Sequence, residues 1–405
     1  MDNHNRKVIS IIVFLRKFVS VFFTLFFNIY VLKIVNDVGI VLKYNLVGII
    51  FDGVLSIIIS SKLNNKNAKI IYNSSFIQLI ICIVLLITLK DNICSYLYLF
   101  RILYSLTKTC YSVPYEIVIM GSNNHKTMSN FLANVNILDY LATIFTPIFS
   151  GFIIEKFSYN VLFVILSIEA LLIIIISSQI KSFYVDENKV NLKSYFSKIK
   201  KYSHLSNIYK CMFFRRISLQ GAITDLLPVL LFLKIGSELS VGSYNSMFAI
   251  ISIVSLSILK IVNKKNIQKR FYISFAILIF ISSIFLIFNT SFITLLVYYI
   301  LMNSFGSVLE SESCSVVYDA INIDELSQYK REHQITFNIY MLFGQIISYS
   351  FALILYTYFY NANILSFAIS IMMFFSIVAA IYLQKTETYL KLKRWLRAIF
   401  IKVIM

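Results

Sequence analysis

The chain has 405 residues, of which 59% are hydrophobic and only 14% are charged. Its mean hydropathy is +0.78, so it carries more apolar surface than a soluble core of this length could bury. This excludes an ordinary water-soluble domain and indicates a membrane protein. The net charge of +18 lies in short connectors between apolar segments, not on one folded face, so nucleic-acid binding is not expected.

Twelve apolar stretches approach the length of about 20 residues that a membrane-spanning helix needs. The first is too long for a cleaved signal peptide, and its end lacks small residues. The sequence therefore predicts an all-α polytopic membrane protein with twelve transmembrane helices. The predicted spans are residues 8–32, 38–60, 70–89, 93–118, 131–154, 159–180, 208–233, 241–260, 271–288, 292–318, 334–358 and 362–383.

The basic residues are distributed unevenly between the two sides of this layout. Of 37 Lys and Arg residues, 26 lie in the two tails and in the connectors that follow even-numbered spans. One of these connectors contains "KLNNKNAKI" at 62–70. The odd-numbered connectors hold four, namely Lys33, Lys90, Lys156 and Lys234. By the positive-inside rule both termini are expected in the cytoplasm. We expect a multi-pass protein of a bacterial plasma membrane.

Short matches recur along the chain at an offset of about 200 residues. "FLRK" at 14–17 matches "FFRR" at 213–216, and Asn and Lys residues within 64–67 match those within 263–266. Matches in the same order at a constant offset indicate an internal repeat of two six-helix bundles. The predicted domains are an N-terminal bundle at 1–180, a basic cytoplasmic linker at 181–207, a C-terminal bundle at 208–383 and a basic amphipathic tail at 384–405.

Three stretches add motif information to this layout. The connector after span 2 reads "SSKLNNKNAK", with Asn64 near its centre and Lys69 at its end. Span 4 contains "LYLFRILYSLTK", in which Arg101 is the fifth residue, and span 5 contains "TPIFSG" from Thr146 to Gly151. Together with the two six-span halves, these stretches resemble the major facilitator superfamily of secondary transporters.

The resemblance implies roles for several motif residues. Lys69 matches the last basic residue of the family's GxxxDRxGRK gating hairpin, whereas Asn64 replaces its acid. Arg101 matches the working Arg of LxxxRxxQG. Pro147 and Gly151 match GPxxGG, which is associated with drug/proton antiporters and favours export.

Charged residues inside the spans are the remaining candidates, because a charge at mid-bilayer costs about 3 kcal/mol unless it pairs, faces a cavity or snorkels to an interface. Arg16 and Arg215 lie at matching positions about 12 Å into spans 1 and 7. They are expected to snorkel towards the cytoplasm; a structural clamp at the start of each half is the alternative.

Arg101 needs an acceptor within the membrane, and Asp139 is the predicted partner and a candidate proton carrier. Asp225 is the matching acid of the second half, and Pro228 after it can open a gap in the helical hydrogen bonds. Glu310 and Glu312 are further coupling candidates and, two residues apart, must face different ways. Asp52 and Glu116 are expected to be exposed at the interface, with a gate network as the alternative, and Glu169 receives no role.

Cysteine and histidine spacing indicates neither a disulfide framework nor a metal site, and no glycine-rich phosphate loop is present. No cofactor and no enzymatic activity are expected. The tail at 384–405 has the pattern of an amphipathic helix lying on membrane lipids.

The sequence predicts a monomeric secondary transporter that uses a proton or another coupling ion to export a small lipophilic or amphipathic substrate. An importer of a sugar, peptide or nucleoside is the first alternative. A non-transporting immunity or sensor protein with the same fold is the second.

Overall fold

The computed structural model describes residues 3–120, 125–181, 183, 190–263, 271–321, 329–361 and 363–404. Within these ranges the chain forms sixteen α-helices. They are α1 Asn3–Val21, α2 Phe27–Val35, α3 Val38–Lys62, α4 Ala68–Leu89, α5 Leu97–Met120, α6 His125–Lys156, α7 Tyr159–Ser178, α8 Leu192–Lys201, α9 Ser203–Ser218, α10 Ala222–Ile235, α11 Glu238–Asn263, α12 Phe271–Phe288, α13 Phe292–Leu301, α14 Ser307–Ile321, α15 Lys330–Phe359 and α16 Ile364–Ile404.

Eleven helical segments of the described chain are long and apolar enough to cross a membrane. Helix α5 is also long enough to cross a membrane, but it carries three charged residues, Arg101, Lys108 and Glu116. Large apolar side chains such as Ile77 and Leu171 are exposed on the outer faces of the helices, as expected where the solvent is lipid. The predicted all-α polytopic fold class is therefore confirmed.

Two of the predicted spans contain a short segment of π-helix. Phe22–Phe26 joins α1 to α2, and Met302–Gly306 joins α13 to α14. One extra residue in a turn shifts the direction of the following side chains without ending the helix. Span 12 and the predicted tail form the single helix α16, and the tail's side chains from residue 387 onwards lie outside those described.

The described chain divides by contact into two compact units. Unit 1 contains Met1–Lys189 and Thr224–Ile250, and unit 2 contains Val190–Ile223 and Ile251–Met405. The division of the sequence into two six-helix repeats remains a prediction, since spatial contact groups residues 224–250 with the first half of the chain.

Unit 1 is built around α5, which packs against α3 and α4, while α1 packs against α6 and α7. Its core near the start of α1 is apolar and aromatic, with Ile12, Tyr72 and Phe76 almost fully buried. Tyr72 makes ring contacts with Phe76 and Tyr111, which tie α4 to α5. In unit 2, α9 packs against α15 and α16, and α12 packs against α16.

Short turns join the helices of unit 1 at its two ends. The near end has the start of α1 and the turn between α3 and α4; the far end has the turns 36–37, 157–158 and 236–237. At the far end α2 stops at Asn36 (φ 53°) and α10 stops at Gly236 (φ 74°), both in the left-handed region that terminates helices. These two turns occupy matching positions of the sequence repeat.

Helices α6 and α11 approach so closely at the far end that their backbones touch. A Cβ atom on Gly242 would lie 2.2 Å from the carbonyl oxygen of Pro147, and one on Gly151 would lie 2.7 Å from that of Glu238. Small residues at a membrane helix crossing allow this approach. The motif residues Pro147 and Gly151 are thus part of a helix contact.

We expect Gly242→Ala to destabilise the protein by about 1–3 kcal/mol, because the new methyl group meets backbone that cannot rotate away. The melting temperature of the purified protein in detergent measures the effect. Gly306→Ala is the matched control, since its Cβ would meet Leu219 at an ordinary 3.4 Å. Equal melting temperatures for the two variants would contradict the close crossing.

Candidate coupling and substrate site

Three charged residues form a cluster between α3 and α5 in unit 1. Lys108 Nζ donates a hydrogen bond to Asp52 Oδ2 at 2.7 Å, and Arg101 Nη2 lies 3.6 Å from the same oxygen. Arg101 and Lys108 are seven residues apart, so both project from one face of α5. The two cations therefore share one carboxylate as their direct partner.

A glycine on α3 makes room for the Arg101 guanidinium. A Cβ atom on Gly48 would lie 1.7 Å from Arg101 Nε, so the guanidinium rests directly on the α3 backbone. The rings of Tyr44 and Tyr104 lie 5.4 and 5.5 Å from its central carbon, within cation–π range. Ser105 Oγ also donates to the Gly48 carbonyl at 3.2 Å, which holds the two helices together.

Arg101 retains unused hydrogen-bonding capacity. Its side chain is only 8% exposed, and among the described residues its Nε and Nη1 atoms have no hydrogen-bond partner. Asp225 of α10 lies within electrostatic range of it. An arginine in this state can accept an additional anionic or polar partner.

The predicted pair between Arg101 and Asp139 is wrong. Asp139 instead forms an ion pair with Lys17 at 3.0 Å. The cause is helix packing, since α6, which carries Asp139, packs against α1, whereas α5 packs against α3 and α4. Asp52, which the sequence placed at an exposed interface, is the acid that faces Arg101.

The expectation that Arg16 snorkels is also wrong. Arg16 is 6% exposed, and its guanidinium lies over the ring of Tyr111 at 5.0 Å. Glu169 of α7 lies within electrostatic range of Arg16. The acid in span 6, which had no role in the sequence analysis, thus lies near Arg16 in the packing of unit 1.

Arg215 is the corresponding buried arginine of unit 2, and it too does not snorkel. It is 3% exposed and donates to the side chain of Ser313, to the Glu310 carbonyl at 3.2 Å and to Gln220 Oε1 at 3.0 Å. These bonds join α9 to α14. Arg215 therefore fits the alternative prediction of a structural clamp, and not that of a side chain that snorkels to the interface.

Glu310 and Glu312 face different ways, as the two-residue spacing predicted. Glu310 is exposed and accepts a hydrogen bond from Gln220. Glu312 accepts one from the Tyr272 hydroxyl of α12 at 2.9 Å. Glu310 therefore joins the Arg215 network through its carbonyl and through Gln220, whereas the Glu312 side chain bonds to α12.

The helix that carries Arg215 is interrupted at residues 219–221, between α9 and α10. Ser348 Oγ accepts a hydrogen bond from the Ala222 N–H at 2.9 Å, and Gln345 donates to the Gln220 carbonyl at 3.4 Å. Polar side chains of α15 thus satisfy backbone groups that the interruption leaves without helical partners. A Cβ atom on Gly221 would lie 2.3 Å from Ser348 Oγ, so this approach needs glycine.

The interruption lies earlier than the gap expected beside Pro228. Helix α10 continues through Pro228 to Ile235. A proline removes one N–H group, whereas Gly221 permits the close approach of Ser348, which accepts from the Ala222 N–H. The chain passes from unit 2 into unit 1 between Ile223 and Thr224, directly after this interruption.

Six residues at the far end of unit 1 form a further polar group, here called the far-end cluster. Lys33 Nζ lies 2.6 Å from Glu238 Oε1, and the Tyr159 hydroxyl donates to the same oxygen at 3.3 Å. Glu155 accepts hydrogen bonds from Ser237 Oγ at 2.6 Å and from the Leu239 N–H at 3.2 Å. The cluster therefore fastens α2, α6 and α7 to the start of α11.

The basic hairpin after α3 has a local structural role. Asn64 Oδ1 accepts hydrogen bonds from the N–H groups of Lys66 and Asn67, which closes the turn. Lys69 lies half-buried in the first turn of α4. The matching positions 264–270 of the repeat lie outside the described residues, and a gating role for Asn64 and Lys69 remains a prediction.

Sequence reasoning assigned no coupling role to Lys108 and Gln220, and it did not identify Glu238. The i to i+4 spacing of Gly48 and Asp52, and the i to i+7 spacing of Arg101 and Lys108, would have placed each pair on one helix face. No such signal links Glu238 to Lys33, since they are 205 residues apart.

The family model described as Major Facilitator Superfamily matches residues 9–318. No curated protein matches the sequence closely enough to count as a relative. Among solved structures, a bacterial homologue of the human lysosomal transporter Spinster, in an inward-facing and unoccupied conformation, has a TM-score of 0.65 at 11% identity, with 96% of this chain and 98% of that chain covered.

Two further solved structures have similar scores. A bacterial metal transporter has a TM-score of 0.64 at 11% identity and covers 95% of this chain and 98% of its own. A bacterial homologue of the iron transporter ferroportin, in an inward-facing state, has a TM-score of 0.62 at 11% identity and covers 96% and 99%. At this identity the likeness shows the fold alone.

We expect Asp52→Asn to destabilise the protein by about 3 kcal/mol or more, because it leaves Arg101 and Lys108 without their shared counter-ion. Asp37→Asn is the control on the same helix. Asp37 caps the start of α3 by accepting from the Gly39 N–H, which asparagine can also do. Thermal unfolding in detergent measures both, and an equal effect would argue against the ion cluster.

Proposed function

Because the chain belongs to the major facilitator superfamily, we propose that it is a proton-coupled secondary transporter that exports a small lipophilic or amphipathic compound by alternating access. The observation that carries this proposal is the Asp52–Arg101–Lys108 cluster. Ionisable groups buried in membrane helices are costly, and they are retained where they bind a substrate or move a proton.

Protonation of Asp52 is the proposed coupling step. Beside Arg101 and Lys108 the ionised carboxylate is favoured, so Asp52 takes up a proton only when an anionic cargo next to it takes over the compensation of the two cations. Asp225, within electrostatic range of Arg101, is the second proposed carrier. Asp139, Glu310 and Glu312 have the more peripheral role of pairing with Lys17, Gln220 and Tyr272.

The far-end cluster and the interrupted helix supply the proposed conformational change. Opening the far end breaks the Lys33–Glu238 pair and the bonds from Ser237 to Glu155. The break at 219–221 provides a point where the helix can bend without losing further hydrogen bonds, as discontinuous helices of secondary transporters do.

The charge of the site narrows the proposed cargo. Arg101 is buried and keeps two nitrogen atoms without a hydrogen-bond partner among the described residues, and it shares its direct partner Asp52 with Lys108. Desolvated positive charge attracts anions and repels cations. We therefore propose neutral or anionic amphipathic compounds as cargo, and the match of Pro147 and Gly151 to the antiporter motif supports export.

Proton coupling is tested in inverted membrane vesicles with carboxyfluorescein as an amphipathic anion and ethidium as an amphipathic cation. We expect an inward-acid pH gradient to drive uptake of carboxyfluorescein but not of ethidium. Unchanged uptake after the gradient is collapsed would contradict proton coupling. Preferential uptake of ethidium would contradict the proposed cargo class.

Arg101→Lys is expected to lower gradient-driven uptake about tenfold, because lysine keeps the charge but loses the planar fork that can bind a carboxylate and a cargo at once. Exchange of the probe across the vesicle membrane without a pH gradient should continue. This result would show that the variant is folded and has lost only proton coupling. Arg6→Lys at the start of α1 is the control. Equal uptake by both variants would remove Arg101 from the coupling step.

A further inference from the structure

Helix α8 is a short amphipathic helix that docks on unit 2 where α9 and α15 begin. One face carries Tyr195 and Ile199, four residues apart and almost fully buried. Helix α8 begins with Asn191 as its cap, since the Asn191 side chain accepts from the Ser194 N–H. The position of α8 is therefore fixed by the packing of its buried face and by the Asn191 cap at its start.

Polar contacts hold this face in place. The Tyr195 hydroxyl lies 2.8 Å from the Tyr209 hydroxyl and 2.9 Å from Nδ1 of His333. The backbone N–H of Asn191 donates to Glu332 Oε1 at 2.8 Å. Burial raises the pKa of Tyr195 to about 12, so its hydroxyl keeps its proton at neutral pH and remains a donor.

The docking contacts place α8 beside the first turns of α9 and α15. Tyr209 is six residues after the start of α9 at Ser203, and His333 is three residues after the start of α15 at Lys330. At a rise of 1.5 Å per residue, these side chains lie about 9 Å and about 5 Å from the helix ends. Helix α8 therefore docks within about two turns of the ends of α9 and α15.

The opposite face of α8 is cationic and exposed. Lys193, Lys200 and Lys201 are all exposed and lie at positions i, i+7 and i+8, away from the buried face. Phe196, 37% exposed, lies beside them. Lys198 belongs to the docked face instead, since its Nζ lies 4.7 Å from the centre of the Tyr329 ring. The helix contains no acidic residue.

We propose that α8 is a binding element for anionic phospholipids, in which Lys193, Lys200 and Lys201 contact the headgroups of the adjacent leaflet. Basic side chains at a membrane surface are attracted to anionic lipid, and an aromatic side chain beside them reaches the acyl boundary. The position of α8 at the ends of two membrane helices favours lipid over a soluble acidic protein as the partner. This proposal does not depend on the transported compound.

Lipid binding at α8 can influence the helix interruption at residues 219–221 through α9 and α15. Tyr209 lies on α9, six residues before Arg215, and His333 lies on α15, which also carries Gln345 and Ser348. Ordering α8 therefore stabilises the two helices that frame the interruption at 219–221. The effect on these helices is indirect, since α8 itself does not contact the interruption.

The full-length protein is reconstituted in nanodiscs of phosphatidylcholine alone or mixed with phosphatidylglycerol, and hydrogen exchange of the α8 amides is measured. We expect exchange to be about fivefold slower or more with phosphatidylglycerol. The variant Lys193→Gln/Lys200→Gln/Lys201→Gln should lose this difference. Lys62→Gln/Lys66→Gln/Lys69→Gln removes the same charge from the hairpin after α3 and should keep it.

Two results would overturn the proposal. One is an equal lipid effect in the wild type and the α8 lysine variant. The other is equal slowing by inorganic phosphate in phosphatidylcholine discs, which would identify a free anion as the ligand. Tyr195→Phe tests docking separately, since it should speed α8 exchange in both lipid mixtures while the difference between them persists.

Discussion

A guanidinium group buried between two membrane helices must find all of its compensation inside the protein, because lipid offers neither water nor counter-ions. Arg101 meets this constraint through Asp52, two tyrosine rings and the bare backbone of Gly48. The geometry of α3 and α5 follows from it, since any larger residue than glycine would push the helices apart. Its Nε and Nη1 atoms have no hydrogen-bond partner among the described residues, so the guanidinium can bind a further polar or anionic group.

The same constraint explains how backbone groups are treated. Where the helix between α9 and α10 is interrupted, Ser348 and Gln345 take the place of the missing helical partners. Where α6 meets α11, glycine lets the backbones touch, and the far-end cluster adds the Lys33–Glu238 pair. In the proposed transport cycle these are the contacts that break and re-form as the protein alternates between its states.

The sequence identified the important charged residues more reliably than it identified the residues that pair with them. It singled out Arg101 and Arg215 because charge within an apolar span is rare, and both are buried in networks. It paired Arg101 with Asp139, whereas helix packing gives Asp139 to Lys17 and Asp52 to Arg101. Depth along a helix follows from residue number, but the rotation of one helix against another depends on side-chain packing that a single sequence does not encode locally.

Hydrophobicity and charge bias, which are sums over many residues, were enough by themselves to determine an all-helical membrane protein and its spans. The layout of two six-span halves, with partial support from short motifs, was enough to reveal the family resemblance. Only the tertiary structure decided that Glu238 meets Lys33 across 205 residues, that the interruption falls at Gly221 rather than Pro228, and that α8 presents its lysines outward. These features depend on which helices are neighbours, and contact between distant segments has no local signal in the chain.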